Sequence, residues 1–476
     1  MNLRTATVAE RVSAGKAARA QCSRSSLAAF TPWTDRRDPV QILSMQEVER
    51  VPGLLPLRHQ RMAANSFAFL RGAAAIMATD LGAMPRTGLT VQLCGDAHLS
   101  NLGLFAGPDR NLVFDLNDFD ETNPGPFEWD VMRLATSFAV AAQTAGHSKT
   151  FALGLSELVA KSYRESMAKF AGMNDLDVWY YRVDTRLLAT WVERAGSKKG
   201  LKALQRTTEA ATRKDRWSAA KSLTHIVDGR RQFKNQPPLL VSLTSDDASR
   251  ESISAMFETY RNTLLIDRAH LLSRYHWVDA GHKVVGVGSV GLLAFVLLLQ
   301  GRDENDLLVL QCKQSVKSVL EPFTAASELP THGQRVVAGQ RLIQAATDAF
   351  LGSTEGVRGR SYYVRQLRDM KWSPDPLSMN KDSYTTYAAL CGLTLARAHA
   401  RSGDSVAIAS YLGNSDTFDR AMTEFSAAYS EQNGMDFDRY TAAVQSGQVT
   451  ASDNLNDGFQ IRLESGSDGL ATVITN

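Results

Sequence analysis

The stretch Cys94-Gly-Asp-Ala-His-Leu-Ser-Asn101, followed by Asp115-Leu-Asn-Asp-Phe-Asp120, says most about the fold of this chain. Between the two polar stretches, two apolar runs flank a Gly-Pro-Asp turn, a pattern typical of a β-hairpin. The hairpin would bring both polar clusters to the same end. One carboxylate could then face a nucleophile, while an amide oxygen and a second carboxylate hold Mg²⁺ on ATP phosphates. The pattern therefore predicts a phosphotransferase centre.

The composition is that of a globular protein with two or three structural units. The chain has 476 residues, of which 44% are hydrophobic and 22% charged. The 53 Lys and Arg against 50 Asp and Glu leave a net charge of +3, which does not favour a nucleic-acid or membrane partner. The four cysteines lie far apart, as expected of reduced thiols.

No apolar segment reaches the roughly 18 residues that span a bilayer. The N-terminal residues contain no apolar core of a secretory signal. We therefore expect a cytoplasmic protein.

Hydrophobic periodicity and turn signals divide the chain into four segments. Residues 1–57 form an N-terminal extension, and residues 58–281 a helical lobe that carries the catalytic and metal-binding loops. Residues 282–372 are rich in β-strand patterns, and residues 373–476 return to helix and complete the large lobe. Apolar spacing predicts helices at 58–81, 127–142, 384–400 and 418–433, and over most of 147–278.

A glycine-rich stretch, Gly286-Val-Gly288-Ser289-Val-Gly291, opens the β-rich segment. In a dinucleotide-binding fold the last glycine would begin a helix. Here the glycines lead into the apolar run Leu292–Leu299, a polar turn and a second strand that ends at Lys313. That order favours a loop that folds over nucleotide phosphates between antiparallel strands, with Lys313 on the α- and β-phosphates. The alternative without function is a hairpin with a glycine bulge and a surface lysine.

The order of these parts along the chain is unusual. A protein kinase has its glycine loop and lysine before its catalytic loop, whereas here they follow it. Since geometry and not chain order defines a site, the sequence predicts a circularly permuted arrangement. The β-rich lobe would be inserted into the helical lobe.

The polar clusters resemble the catalytic and metal-binding loops of aminoglycoside phosphotransferases and choline-kinase-like enzymes. The matching residues are Gly95-Asp-Ala-His-Leu-Ser-Asn101 and Asn117-Asp-Phe-Asp120. Over most of its length the chain also resembles the bacterial domain-of-unknown-function 2252 family. That likeness rests on the segments Phe67–Gly72, Gly95–His98, Asp115–Glu121, Gln334–Leu342, Tyr363–Lys371 and Leu395–Arg401.

The resemblance implies an α+β, bilobal protein-kinase-like fold that binds ATP and Mg²⁺. It makes Asp96 the catalytic base, with His98 as a loop histidine beside it. Asn101 and Asp118 would be the Mg²⁺ ligands.

The resemblance also implies two supporting groups. Asp130, at the start of a long helix, would brace the catalytic loop through backbone N–H groups. Cys94 stands where many of these enzymes have a histidine, which puts that contact in question. The acidic partner of Lys313 would be Glu321 or Glu328.

Several of these residues have simpler interpretations. Asp96 and Asp118 are common turn residues, and His98 is as well suited to a backbone hydrogen bond as to catalysis. One of Asp115 and Asp120 could be a second metal ligand, or either could be a solvated or capping carboxylate. The arginines Arg58, Arg61 and Arg71 would hold a substrate phosphate or form a solvated face.

The function that these observations favour is an ATP- and Mg²⁺-dependent phosphotransferase that acts on a hydroxyl group of a small molecule or protein. The same parts would support nucleotidyl transfer, or nucleotide binding without turnover in a pseudokinase. A dinuclear metallophosphoesterase is a weaker alternative because His98 is the only histidine near the acidic clusters.

Overall fold

The computed structural model of the protein combines helices and antiparallel strands. It describes residues 6–194, 198–213, 216–237, 239–243, 247–284, 286, 288–356, 359–367, 370–453, 462–465 and 471–474. The helices are α1 (Val8–Gln21), α2 (Pro39–Glu47), α3 (Leu55–Met62), α4 (Ser66–Gly72), α5 (Ala74–Gly82), α6 (Phe127–Thr144), α7 (Lys149–Ala171), α8 (Asp175–Tyr180), α9 (Thr185–Arg194), α10 (Lys198–Arg213), α11 (Arg216–Leu223), α12 (Asp247–Arg261), α13 (Ile266–Leu272), α14 (His332–Ile343), α15 (Lys381–Ser402), α16 (Ser405–Leu412) and α17 (Thr417–Gln445). The strands are β1 (Thr90–Leu93), β2 (Leu102–Ala106), β3 (Leu112–Leu116), β4 (Asn123–Pro126), β5 (Val183–Asp184), β6 (Thr224–Val227), β7 (Arg230–Phe233), β8 (Leu240–Ser242), β9 (His276–Lys283), β10 (Ala294–Gln300), β11 (Leu307–Ser315), β12 (Gly352–Glu355), β13 (Ser361–Gln366), β14 (Arg462–Ser465) and β15 (Ala471–Ile474). The predicted α+β class is confirmed.

A six-stranded antiparallel sheet has the order β12-β13-β11-β10-β9-β8. The glycine-rich stretch connects β9 to β10, and Lys313 on β11 pairs with Ala294 on β10. Strand β10 is apolar and buried along almost its whole length, as expected of a strand covered on both faces. The sheet begins earlier in the chain than residue 282, because β8 and most of β9 precede that residue.

The two polar clusters lie at the open end of a hairpin, as the sequence predicts. Strands β2 and β3 pair antiparallel, with Leu102 opposite Leu116. Asn101 therefore immediately precedes one strand of the pair and Asn117 immediately follows the other, and the N–H of Asn117 donates to the carbonyl of Asn101 at 2.8 Å. The register of the hairpin places the catalytic-loop candidate beside the acidic cluster.

The hairpin rests on a helical body built around α6, which is buried on nearly every side. A helix that is buried on nearly all sides belongs in the centre of a large core. Helices α7, α15 and α17 pack on it, with Phe127 of α6 stacked on Tyr163 of α7. The predicted helices at 127–142, 384–400 and 418–433 lie within α6, α15 and α17.

The N-terminal segment is part of this body. Its Arg36 donates to both oxygens of Asp80, at 2.7 Å each, and to both oxygens of Asp436, at 2.8 and 2.7 Å. Paired, planar contacts of this type are the strongest that a guanidinium group makes. The segment is thereby joined to α5 and α17.

One local prediction is wrong and another holds with an interruption. Residues 58–81 form parts of three helices instead of one, because Asn65 accepts a hydrogen bond from the N–H of Ala68 and caps a new helix start. Residues 147–278 are mostly helical, as predicted, and the hairpin β6–β7 at residues 224–233 interrupts them. Its turn has Asp228 at φ 49° and Gly229 at φ 74°, the Asp-Gly signal of a tight hairpin.

Within the described part of the chain, no helix combines the length and the apolar character that crossing a membrane requires.

Candidate active site

A cavity of about 840 Å³ opens where the helical body meets the sheet. Its wall includes most of the residues that the sequence singles out. They are Asp96, His98, Asn101, Asp118 and Asp120 from the hairpin side, and Gly286, Gly288 and Ser289 from the glycine-rich stretch. Val287 of that stretch lies outside the described residues.

The backbone of the loop that carries Asp96 is bound by the side chain of Asp130, in the first turn of α6. The two carboxylate oxygens of Asp130 accept the N–H groups of Cys94 at 2.7 Å and Gly95 at 3.0 Å. This is the contact that the resemblance implied, and it forms with a cysteine at position 94. The imidazole of His399 on α15 lies 3.2 Å from Asp130 and 2.8 Å from the hydroxyl of Tyr163. A histidine from another helix thus contacts the bracing carboxylate.

Asp96 is held by an arginine. Arg133 of α6 donates to Asp96 Oδ1 at 2.7 Å through Nε, and its Nη2 lies 2.6 Å from the same oxygen. Arg133 also donates to the carbonyl of Leu70, so its guanidinium is fixed at both ends. Burial raises the pKa of Asp96 above its ordinary value, even though the charge of Arg133 opposes that shift. Asp96 is therefore a stronger base than an exposed aspartate.

His98 and Asn101 complete the loop. His98 Nε2 lies 3.7 Å from Asp96 Oδ2, and burial together with Arg71 lowers the pKa of this imidazole well below its ordinary value. His98 is consequently neutral at physiological pH. The Nδ2 of Asn101 donates to the carbonyl of Asp96 at 2.6 Å, which directs the amide nitrogen into the loop. The amide oxygen is the atom that Asn101 has left for a metal ion.

Lys313 reaches from the sheet to the acidic cluster. Its ammonium forms an ion pair with Asp120 and lies 3.8 Å from Asp118 Oδ1. Burial lowers the pKa of Lys313, but the two carboxylates outweigh it and raise the pKa above its ordinary value. For Asp118, burial by itself would raise the pKa. The positive charges of Lys313 and Arg365 outweigh burial, so the pKa of Asp118 is lowered. Lys313 is therefore charged and Asp118 ionised.

The predicted partner of Lys313 is different from the observed one. Glu321 lies 3.9 Å from Arg335 and Glu328 is exposed in a loop, so neither contacts Lys313. In this structure Asp120 takes that position. The two residues are far apart in sequence, and strand spacing alone could not have paired them.

Asp115 belongs to the core and not to the cavity. It is completely buried and forms an ion pair with Arg397 of α15. It also accepts the N–H groups of Leu116 and Ala345, at 2.9 and 2.8 Å. Of the two carboxylates that could be a second metal ligand, only Asp120 lines the cavity.

The glycine-rich stretch is fixed against the N-terminal segment. Gly286 and Gly291 have φ of 69° and 94°, which side-chain-bearing residues rarely adopt. The carbonyl of Gly286 accepts from Arg61 at 2.6 Å, and that of Gly291 accepts the N–H of Val51 at 2.8 Å. The hydroxyl of Ser289 donates a hydrogen bond to Asp120 Oδ2 at 3.2 Å. The stretch therefore faces the acidic cluster directly.

The oxygen atoms at this end of the cavity suit a magnesium ion. Asp118 keeps 34% of its side chain exposed, and Asp120 Oδ1 is buried without a hydrogen-bond partner among the described residues. Within the same residues, no group of three or more His, Cys, Asp or Glu side chains is arranged to hold a metal ion. Magnesium in a nucleotide site needs only one or two carboxylates, because phosphate oxygens and water supply the other ligands.

A family model described as "Uncharacterized protein conserved in bacteria (DUF2252)" matches residues 50–443. The chain belongs to this family. No curated protein and no solved structure shows significant similarity to the chain.

Three of the segments by which the chain resembles DUF2252 each contribute an arginine that contacts the acidic cluster. Arg335 of α14 donates to the carbonyls of Thr122 and Asp120, and Arg365 of β13 donates to that of Asn117 at 2.9 Å. With Arg397 on Asp115, three arginines fix the backbone or a side chain of the cluster. The sequence offered a signal for them, since each lies in one of those segments, but their targets depend on the fold.

Proposed function

We propose that the protein is an ATP- and Mg²⁺-dependent phosphotransferase. The observation that carries this proposal is the meeting of Asp96, Asn101 and Asp118 with the glycine-rich stretch around one cavity, with the Lys313 ammonium 3.8 Å from Asp118. Carboxylates, an amide, a lysine and a glycine loop are the groups that phosphoryl transfer requires.

The sheet side of the cavity binds the nucleotide. The glycine-rich stretch allows the phosphates to approach the backbone closely, and Lys313 neutralises their charge. Lys313 is compensated by Asp120 and Asp118, so bound phosphates share this lysine with the two carboxylates. Asp118, Asp120 and Asn101 are the residues that would hold magnesium, which supplies positive charge next to the phosphates.

The helical side of the cavity binds the acceptor. Arg133 occupies Asp96 Oδ1, so Oδ2 is the oxygen that receives a hydrogen bond from an acceptor hydroxyl. Asp96 accepts the proton of that hydroxyl as the oxygen attacks the γ-phosphorus, and ADP leaves. The raised pKa of Asp96 favours this proton transfer. Neutral His98 lies beside Asp96 and adds no positive charge of its own there.

The test follows two labels in parallel. The protein is incubated with Mg²⁺, a bacterial extract and ATP labelled on either the γ- or the α-phosphate. We expect the γ-label to move to an acceptor. Asp96→Asn should lower that transfer by about 10²–10⁴-fold while ATP binding persists, because the carboxylate acts mainly in the transition state. Asp438→Asn, an exposed carboxylate on α17, is the matched control.

The other outcomes are equally informative. Movement of the α-label would show nucleotidyl transfer, and ATP binding without any transfer would indicate a pseudokinase. If Asp96→Asn transfers the label as fast as the unaltered protein, Asp96 is a turn residue and the proposed site is wrong.

A further inference from the structure

Five arginines line the same cavity, and three of them are desolvated by burial and form no ion pair within the described part of the chain. These three are Arg50, Arg58 and Arg71. Burial lowers the pKa of all three guanidinium groups. The attraction of nearby acidic groups offsets only part of that effect. A buried cation without a counter-ion is costly, so an anion that fills this place is stabilised.

Arg58 provides charge more than contact. It is 1% exposed, and its Nη2 donates to the carbonyl of Gly72 at 3.0 Å. Its Nε is buried without a partner among the described residues. Arg58 therefore raises the electrostatic potential of the cavity from behind the chain segment that carries Arg71.

Arg71 is the arginine that a ligand would touch. It is only partly buried, and the described residues offer its side chain no hydrogen-bond acceptor. Its charge acts on Asp96, His98 and Asp118, which places it on the side of the proposed base. A Cβ atom added at Gly288 would lie 3.5 Å from the carbonyl of Arg71, so this residue lies between Asp96 and the glycine-rich stretch.

Arg50 lies against the end of the glycine-rich stretch. Its Nη1 donates to the carbonyl of Val290, and its stem packs against Gly291. Its Nε is buried and unpartnered among the described residues. Arg50 and Arg71 thus line the cavity from two chain segments, each next to the glycine-rich stretch.

We propose that Arg71 and Arg50, supported by the charge of Arg58, bind a dianionic group of the acceptor, with a phosphate monoester as the simplest case. The identification of the ligand as the acceptor rests on the proposed function, whereas the presence of an anion site does not. Arginine suits a phosphate group because its planar N–H groups can bind two oxygens at once. Lys313, the glycine-rich stretch and the magnesium ligands already supply the groups that nucleotide phosphates need. The acceptor is therefore a small anionic molecule whose hydroxyl reaches Asp96 while its anionic group is held by arginine.

Calorimetry can separate this site from the nucleotide site. The protein is first saturated with Mg²⁺ and a non-hydrolysable ATP analogue, and inorganic phosphate is then titrated, with acetate as a monoanion for comparison. We expect phosphate to bind the loaded protein more tightly than acetate does. Arg71→Met should weaken phosphate binding by roughly 10- to 100-fold and leave the affinity for the analogue within about threefold. Arg71→Lys should recover part of the loss, and Arg420→Met, an exposed arginine on α17, should change neither affinity.

Two results would overturn the inference. One is phosphate that binds the empty protein but not the analogue-loaded protein. The other is an Arg71→Met variant that loses the analogue as strongly as phosphate, because the arginines would then serve the nucleotide. If the unaltered protein does not bind the analogue, the proposed function fails instead. Phosphate titration of the unloaded protein still decides the anion site: Arg71-dependent binding supports it and no binding refutes it.

Discussion

The ammonium of Lys313 forms an ion pair with the carboxylate of Asp120, 193 residues earlier in the chain. This contact ties the six-stranded sheet to the end of the β2–β3 hairpin. Because Lys313 is 3% exposed, both charges are held where water screens them weakly. Each of the two charges is therefore largely neutralised by the other.

Replacing Lys313 with methionine should weaken Mg²⁺-ATP binding by about 10- to 100-fold, since one charge-assisted contact to the phosphates is lost. Asp118→Ala should remove detectable binding, because a carboxylate next to the metal ion is lost. Calorimetry measures both effects, and Lys161→Met, which removes an exposed lysine on α7, serves as the control. Unchanged affinity in Lys313→Met would mean that this lysine is purely structural.

The acid limb of the pH–rate profile should report Asp96. The pKa of Asp96 is raised by burial, so label transfer should persist above that pKa and fall as the pH drops through it, at a higher pH than the roughly 3.9 of a free aspartate. Arg133 opposes the shift, so Arg133→Met should move the limb to still higher pH and Arg133→Lys should move it less. An acid limb that stays in place in Arg133→Met would exclude Asp96 as the titrating group.

Asp115 should matter for stability and not for binding. Asp115→Asn leaves the buried charge of Arg397 without its counter-ion, which should lower the free energy of unfolding by about 3–5 kcal/mol. Urea denaturation measures this loss, and the double variant with Arg397→Met should lose less than the two single variants combined. The folded Asp115→Asn protein should bind Mg²⁺-ATP with unchanged affinity. Weaker binding would instead return Asp115 to the metal site.

Glu128 should make stability depend on pH. This fully buried carboxyl accepts hydrogen bonds from the N–H and hydroxyl of Thr87, at 2.7 and 2.8 Å, and burial raises its pKa from 4.5 to about 7. Between these values the unfolded chain loses its proton first, so the free energy of unfolding should fall as the pH rises from 4.5 to 7. The full loss is about 3 kcal/mol.

Denaturation at several pH values compares the unaltered protein with Glu128→Gln. The glutamine keeps the shape of the side chain and cannot ionise. The free energy of unfolding of the variant, relative to that of the unaltered protein, should therefore increase across that interval. Glu121 has a pKa raised in the same way, to about 7, and remains in both proteins, so its contribution cancels. Parallel curves would show that Glu128 does not titrate in this range.

Local signals were sufficient for the elements that carry the site. The Gly-Pro-Asp turn predicted the β2–β3 hairpin, and glycines between apolar runs predicted the β9–β10 connection. The contact between Asp130 and the loop at Cys94 followed from a motif. These features depend on neighbours that are close in sequence or on a pattern that a family shares.

Partner choice was beyond the sequence. Asp115 and Asp118 are alike in type and neighbourhood, yet one is buried on Arg397 and the other lines the cavity. Glu321 and Glu328 were the expected partners of Lys313, whereas Asp120 is brought there by the packing of the sheet on the hairpin. Which of several equivalent carboxylates meets a given cation is decided by tertiary packing.

The arginine contacts of the acidic hairpin set an order for its maturation on the ribosome. Synthesis proceeds from the N-terminus, so Asp115 leaves the ribosome 282 residues before Arg397, the group that neutralises it. Until α15 emerges, closing the hairpin would bury an aspartate without a counter-ion. A nascent chain that ends before Arg397 therefore contains both loops of the site but assembles them only at the cost of an unpaired buried charge, so the earliest-made part of the centre is among the last to be stabilised.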